Sequence, residues 1–347
     1  MKKNLLKLLS LMIALLMIGS VALVSCAPDN DTDNAGTDTE GTAPATPDSE
    51  LEMKIYVLNG TTALGMAQMI EKSNNNSDDM NYSISLFPSA DLIVGAITTG
   101  ECAIAALPTN VAARLYKASS GKLQLLALNT LGVLYLLDTT DSVKEMGDLK
   151  GKTVYVPGKG ANPEYITSAL LEGAGLKVGT DVTVDATTYP SPDALQAAII
   201  AGKAELAVLP EPKVSVVTTK SSNVKVALDL TSEWESIYGE NTLVQGCLVV
   251  NTKFAAEHPA EISKFLMDYK ESVDYVSSGS DDAINTIVNT QILPQAPIAK
   301  KALPKCNLCC IMGTEMKPYI GVFFEKLYAF DAESIKAIPD DGFYYIP

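Results

Sequence analysis

The stretch FPSADLIVGAITTGECAIAALP at residues 87–108 decides the reading of this chain, because a second copy, YPSPDALQAAIIAGKAELAVLP, stands at residues 189–210. The copies are offset by 102 residues without a gap, and 9 of their 22 positions are identical. Each reads as a strand end, a Pro-Ser turn with a Ser or Asp as cap, a helix, a glycine stop at Gly100 or Gly202, and a short apolar strand closing on Leu-Pro. A similarity that occurs twice at a spacing of this size implies two related lobes rather than a solenoid. Chance likeness between α/β units is the weaker reading, since both Pro-Ser-x-Asp turns survive in register.

The flanks repeat the pattern. Residues 54–58 form an apolar strand running into Asn59-Gly60-Thr61-Thr62, where Thr61 or Thr62 caps a helix to about residue 72. Residues 82–87 alternate as a strand. After Pro108 come Thr109-Asn110, a helical turn at 111–116, and apolar strands at 123–128 and 132–137. Residues 152–156 open the second half as 54–58 opened the first, and lead through PGKGANP at 157–163 into a helix over 164–171. Beyond a strand at 182–188 and the second copy, the pattern predicts a short helix at 214–215 and a strand at 224–229. An aromatic loop at 234–239, a strand at 243–251, and helices at 258–279 and 281–289 follow, then a proline-punctuated segment at 293–304 and an amphipathic helix at 316–327.

This alternation predicts an α/β fold of two similar lobes, each a mostly parallel sheet flanked by helices, with a hinge and a ligand cleft between them. One lobe is expected from residues 51–142 plus 241–347 and the other from 143–240, with chain crossings near 138–148 and 240–246. Ligands of such sheets bind outside the carboxyl ends of the strands, so two lobes facing those ends across a cleft suit hinge closure over a small molecule.

Composition narrows the function. The chain has 347 residues, 47% hydrophobic and 19% charged, which is enough for two packed lobes. A net charge of −15 argues against a nucleic-acid partner, which needs clustered Lys and Arg. His258 is the single histidine, which removes most His-based catalysis and His-rich metal sites; no metal and no cofactor are expected.

The N-terminus reads as an address. Lys2, Lys3 and Lys7 precede an apolar run at 8–24, as in a secretory signal peptide over residues 1–25. Leu23-Val24-Ser25-Cys26 resembles a bacterial lipobox, which implies lipidation of Cys26 and attachment to the membrane through acyl chains. Residues 26–50 are small and polar and are expected to be a disordered tether.

The lipobox, the tether, the duplicated lobes and DLKGKTVYVPGKG at residues 148–160 together resemble solute-binding lipoproteins of ABC importers. The nearest likeness is to the nitrate/sulfonate/taurine and thiamine-precursor group, whose second lobe often opens on a DLKGKxVxVxxxG segment. GKAELAVLPEP at 202–212 is similar to that group's G-x-(V/A)-D-A-x-x-x-x-E-P pattern, with Glu205 where Asp is usual. The resemblance implies a type II periplasmic-binding-protein fold. It also implies a monomer anchored at the outer face of the bacterial cytoplasmic membrane, with importer permease subunits and a small-molecule ligand as partners.

Candidate site residues lie at the strand tips. Asn59, Thr61 and Thr62 follow the first strand, where backbone N–H groups at a helix start hold an anion or carbonyl; simple capping explains them equally well. Gly158, Lys159, Gly160 and Asn162 form the equivalent loop of the second lobe, whose glycines allow close approach. Its spacing is not that of a P-loop. Ser89, Asp91, Ser191 and Asp193 occupy the repeated turns and read mainly as caps, with Ser89 and Ser191 also able to face the cleft. The copies diverge after Leu-Pro, into Thr109-Asn110 in one lobe and Glu211-Pro212 in the other, as two walls touching different parts of one ligand would. Glu211 either binds a cationic or donor group or pairs with a lysine. Tyr165, Tyr189 and Trp234 offer rings for stacking, or belong to the core. This set suits a small polar molecule with an anionic group and a cationic or ring-nitrogen end.

Five cysteines remain beyond Cys26. Cys102 and Cys247 read as buried thiols in apolar strands; Cys306, Cys309 and Cys310 have a C-x-x-C spacing without a second ligand pair, so a disulfide is conceivable and a metal site is not favoured. Among function classes, a binding module accounts for the duplicated cleft. An enzyme on the same scaffold needs a convergent acid, base or nucleophile set that no motif supplies. An interaction lipoprotein would not need the cleft at all.

Overall fold

The two copies of the repeat fold into the same pair of elements. The first forms a helix, Val94–Thr99, and a strand, Ile104–Pro108; the second forms a helix, Pro192–Ile200, and a strand, Leu206–Pro210. Gly100 (φ 80°) and Gly202 (φ 69°) follow the helices in the left-handed region, where a side chain would be strained. The computed structural model describes residues 46–347. The expected signal peptide, Cys26 and most of the tether lie outside the described residues. No helix of the described residues is long and apolar enough to cross a membrane.

The strands are β1 (Met53–Leu58), β2 (Tyr82–Phe87), β3 (Ile104–Pro108), β4 (Leu123–Thr130), β5 (Leu134–Asp138), β6 (Thr153–Tyr155), β7 (Thr183–Asp185), β8 (Leu206–Pro210), β9 (Lys225–Asp229), β10 (Gly246–Asn251) and β11 (Leu308–Met312). The helices are α1 (Thr61–Leu64), α2 (Ala67–Asn74), α3 (Val94–Thr99), α4 (Thr109–Ser119), α5 (Asn162–Gly173), α6 (Pro192–Ile200), α7 (Lys213–Lys220), α8 (Leu230–Tyr238), α9 (Thr252–Glu257), α10 (Pro259–Ser277), α11 (Asp281–Asn289), α12 (Ala296–Ala302) and α13 (Met316–Phe330).

Two sheets result, with strand orders β11-β4-β10-β3-β1-β2 and β7-β6-β8-β5-β9. Apart from the extra edge strand β11, the two orders follow one plan. Three parallel strands are followed by one strand running against them, β10 in the first sheet and β5 in the second, and then by a fourth. Each reversed strand comes from the other half of the chain, and each begins beside the last residue of a repeat copy: Gly246 pairs with Pro108, and Leu134 pairs with Pro210. The chain therefore crosses between lobes at residues 131–133 and 239–245, both at the carboxyl ends of the parallel strands. The first crossing lies earlier than the expected 138–148, because β5 pairs with β8 and β9 rather than with the first sheet.

Three other readings change. Residues 234–239, expected as a loop, lie largely in α8, which Asp229 caps by accepting from the Thr231 and Ser232 amides. The proline-punctuated segment contains α12, with a proline in its first turn where no amide partner is lost. Strand β11 was not expected at all.

Strand periodicity distributes the core. Leu134 and Leu136 of β5 enter one apolar cluster, and Tyr135 and Leu137 the opposite one. In β10, Cys247 and Val249 join the first cluster while Leu248 and Val250 face α2 and α10. The first cluster is shared by both sheets and is covered by Met316, Ile320, Phe323, Phe324 and Leu327 of α13. An aromatic chain follows the same path. Tyr116 of α4 meets Phe343 at 5.1 Å, Phe343 meets Phe324 at 6.1 Å, and Phe323 meets Trp234 of α8 at 5.5 Å. The C-terminal segment, expected with the first lobe, thus packs on both. Trp234 is core, with its indole donating to the Thr242 hydroxyl.

The five cysteines in the described residues are all free thiols. Cys247 lies in β10 as expected, whereas Cys102 precedes β3. The Cys306 and Cys309 thiols donate to the Ala302 and Leu128 carbonyls, so the C-x-x-C spacing serves the edge of the first sheet.

Candidate functional site

Two adjoining cavities, about 620 Å³ and 410 Å³, open between the lobes. Their walls are the loops after β1, β2, β3, β6, β7 and β8, all at strand carboxyl ends. Asn59, Gly60, Pro108, Ala161 and Pro212 border both spaces, so they form one cleft with an outer and an inner part.

The outer cavity is walled by proline. Pro88 and Pro190 are equivalent residues of the repeat and line it from opposite lobes, joined by Pro108, Pro157, Pro192 and Pro212. Proline has no N–H, so a strand tip built from it leaves no backbone donor to satisfy and presents an apolar surface. Ile292, Leu293, Pro294 and Ile298, before and within α12, complete the wall beside Val216 of α7.

The inner cavity mixes polar side chains with apolar surface and rests on the two crossings, through Thr130, Val133, Gln245 and Gly246. At Gly246 an added Cβ would lie 2.5 Å from Asn129 Oδ1 and 2.9 Å from Thr62 Cγ2, so β10 fits against these first-lobe side chains only as a glycine. The Gln245 side chain accepts the Val133 amide at 2.7 Å and ties one crossing to the other. Asn110 and Arg114, one turn apart on α4, both donate to the Gly160 carbonyl of the second lobe at 3.3 Å. Asn162, at the start of α5, donates to the Gln245 carbonyl at 3.3 Å and the Thr109 hydroxyl at 3.4 Å.

Glu211 lies at the tip of β8 and is 1% exposed. Its carboxylate accepts the Ser215 amide at 3.1 Å and the Ser215 hydroxyl at 3.0 Å, and so turns toward the first turn of α7. Burial raises its pKa; the Ser215 bonds and the charges of Lys305 and Lys301 act the other way without cancelling it. Of the two readings left open for Glu211, neither direct lysine pairing nor a free ligand-facing carboxylate describes it. Its carboxylate is held by Ser215 in the first turn of α7, and the residue is at the same time part of the inner wall.

The expected site residues divide as follows. Asn59, Ser89 and Gly158 line the outer cavity, and Asn59, Thr61, Thr62, Asn110, Lys159, Gly160, Asn162 and Glu211 the inner one. Thr61 reaches across to the Glu211 carbonyl at 3.5 Å, while Thr62 donates to the Leu58 carbonyl at 2.6 Å. Thr109 and Tyr189 line neither space. The Thr109 hydroxyl is buried and donates to the Val244 carbonyl at 2.7 Å. Tyr189 packs edge-on against Tyr155 at 5.2 Å and donates to the Lys203 carbonyl. Ser191 caps α6 by accepting the Ala194 amide, whereas Ser89 makes no such bond and stays exposed at the mouth. Tyr165 is buried in the core cluster shared by both sheets.

Arg114, Thr130, Lys213 and Gln245 were not anticipated. Arg114 carried a signal: it is the only arginine in the chain and stands four residues after Asn110, on the same helix face.

The sequence model of the family described as NMT1/THI5 like matches residues 123–283, from β4 into α11. Among solved structures, an ABC transporter from Parabacteroides distasonis is 23% identical, with a TM-score of 0.72 over 86% of this chain and 99% of that one. The periplasmic aliphatic sulphonate binding protein SsuA from Escherichia coli is 17% identical, with a TM-score of 0.67 over 85% of this chain and 92% of that one. The alkanesulfonate-binding protein SsuA from Xanthomonas axonopodis pv. citri, bound to MOPS, is 15% identical, with a TM-score of 0.63 over 85% and 96%. No curated protein matches the chain. The chain has the fold of the periplasmic binding proteins. Within that fold its likeness falls on the NMT1/THI5-like and sulfonate-binding group, as the DLKGK and LPEP segments imply.

Proposed function

We propose that this protein is the extracytoplasmic solute receptor of an ABC importer, which takes a small organic molecule into the interlobe cleft and hands it to the permease. One observation carries this reading: two lobes of one topology turn their strand carboxyl ends toward a shared cleft, and the two crossings that exchange β5 and β10 between the sheets lie at its floor. Lobes joined at the floor rotate about it, and a ligand touching both walls favours the closed state. The similar structures reported above, an ABC transporter and two sulfonate-binding proteins, agree with this role. Attachment through lipid at Cys26 places the receptor at the outer face of the cytoplasmic membrane.

The reading is non-catalytic. The cleft offers amides, hydroxyls, one guanidinium, ammonium groups, the Glu211 and Asp193 carboxylates engaged by Ser215 and Lys213, and the carboxylate of Asp91. His258 packs at a tilt against Phe254 at 4.6 Å and lines neither cavity. The proline wall adds a requirement that was not foreseen, namely that the ligand carries an apolar part.

The test is a thermal-shift screen of residues 46–347 against sulfonates, carboxylates, amides, amino acids, pyrimidines and polyamines, followed by small-angle scattering with each hit. A ligand at 100 times its Kd adds about 2.7 kcal/mol to stability and raises the melting temperature. A hit that also compacts the molecule is the expected result; hits without compaction would count against a closing receptor. Palmitate labelling of the full chain, lost in Cys26→Ser, tests the anchor.

A further inference from the structure

The inner cavity holds polar groups whose direction the fold has settled. Asn110 and Asn162, from opposite lobes, each spend Nδ2 on backbone carbonyls, of Gly160 and Gln245 respectively. Neither amide can turn round, because its Oδ1 would then face a carbonyl oxygen. Both Oδ1 atoms are therefore committed acceptors. Neither accepts a hydrogen bond from another group of the protein, on residues 0% and 4% exposed. Thr130, 1% exposed and on the same wall, also has an unpartnered hydroxyl. Buried polar atoms without partners are uncommon and costly; the two amide oxygens beside this cavity call for donors, and the Thr130 hydroxyl can donate or accept.

Beside them stands the opposite need. Arg114 uses Nη1 on the Gly160 carbonyl, and a guanidinium has further N–H groups to offer an acceptor. The adjoining outer cavity is walled by prolines and by Ile292, Leu293 and Ile298.

Building on the receptor reading above, we propose that the ligand is amphipathic, with a head carrying N–H donors next to a carbonyl or carboxylate oxygen, as in a carboxamide or an α-amino acid. The donors meet Oδ1 of Asn110 and Asn162, the oxygen meets Arg114, and the apolar body lies on the proline wall. A head made only of acceptors, such as a sulfonate, leaves both amide oxygens unsatisfied. Asn110 and Asn162 are thus the specificity-determining residues of the cleft.

Matched probes test this, since only one member of each pair carries N–H donors on its head: L-phenylalanine against 3-phenylpropionate, and benzamide against benzoate. Titration calorimetry on the wild-type protein is expected to show the donor-bearing member binding roughly tenfold tighter in each pair, the factor for one or two buried hydrogen bonds. In Asn162→Leu that preference should shrink, with Asn110 Oδ1 still in place, while the apolar contribution persists; its melting temperature without probe shows whether it folds, and the wild-type comparison stands without it. Equal or tighter binding of the acceptor-only members overturns the proposal and leaves the receptor reading intact. Failure of both donor-bearing probes to bind at about 10 mM, far above the usual ligand range, overturns it as well. The broad screen above then judges the receptor reading by itself.

Discussion

Asn110 in the first lobe donates its side-chain amide to the carbonyl of Gly160 in the second at 3.3 Å, and Arg114 meets the same oxygen at 3.3 Å. Two donors on one acceptor make this a clasp at the base of the cleft. Arg114 is only partly buried, so its bond contributes about 1 kcal/mol or less to stability. Arg114→Ala should leave the melting temperature almost unchanged, yet open the ligand-free protein in small-angle scattering and weaken ligand binding roughly tenfold. Unaltered scattering and affinity would show that the clasp is incidental.

Glu211 gives the protein a pH dependence of a definite sign. Burial raises its pKa above the ordinary 4.5, so the folded state holds the proton to higher pH than the unfolded chain does. Its contribution is complete below the ordinary value and is lost as pH rises through the folded one. Glu211→Gln keeps an acceptor for the Ser215 amide and removes the titration. Its melting temperature should fall less steeply than that of the wild type from about pH 4.5 upward; parallel profiles would disprove the assignment.

Asp138, at the end of β5, has the opposite sign. Burial tends to raise its pKa, but its carboxylate accepts the amides of Thr140, Ser142 and Val143 at 2.6, 2.7 and 3.0 Å and the Thr140 hydroxyl at 2.7 Å, and the net pKa is lowered. That stabilisation is present above the ordinary carboxylate value and is lost as pH falls through the lowered one. Asp138→Asn should cost about 1.5–3 kcal/mol near neutral pH, measured by urea unfolding, and the gap to wild type should close in acid. A gap independent of pH would refute the charge-based account.

Gly132 sits in the first crossing, where an added Cβ would lie 2.3 Å from Thr231 Oγ1 and 2.5 Å from Thr231 Cγ2. Gly132→Ala must push the crossing away from α8 and should destabilise the fold by about 1–3 kcal/mol. Gly95→Ala is the control, since no atom lies within 4 Å of its added Cβ. Equal unfolding midpoints for the two variants would mean that the crossing yields freely.

The repeat was legible because it combines two periodicities with two stops. Short apolar runs closing on Leu-Pro marked β3 and β8, and Gly100 and Gly202 punctuated the turns that precede them. Where such punctuation was missing, the reading failed. Trp234 and Tyr238 were taken for a loop because two aromatics beside Gly239 resemble one, although Asp229 starts a helix there. The strand Leu308–Met312 was hidden by its cysteines, whose spacing drew attention as a ligand pattern rather than as a short apolar run at a sheet edge.

Local chemistry in the sequence determined the α/β class, the duplication, the order of the elements and the strand-tip loops that carry Asn59, Lys159 and Asn162, because periodicity and turn residues act over a few neighbours. Tertiary structure alone decided the rest. Which sheet takes β5 depends on partners tens of residues away, Leu206 to Pro210 on one side and Lys225 to Asp229 on the other. Whether Tyr189 faces the cleft or Tyr155, whether Glu211 meets a ligand or Ser215, and which way Asn110 and Asn162 point are likewise set by atoms distant in the chain. A side chain's direction is fixed by what its backbone is packed against, and that is settled only when the lobes close on their shared core.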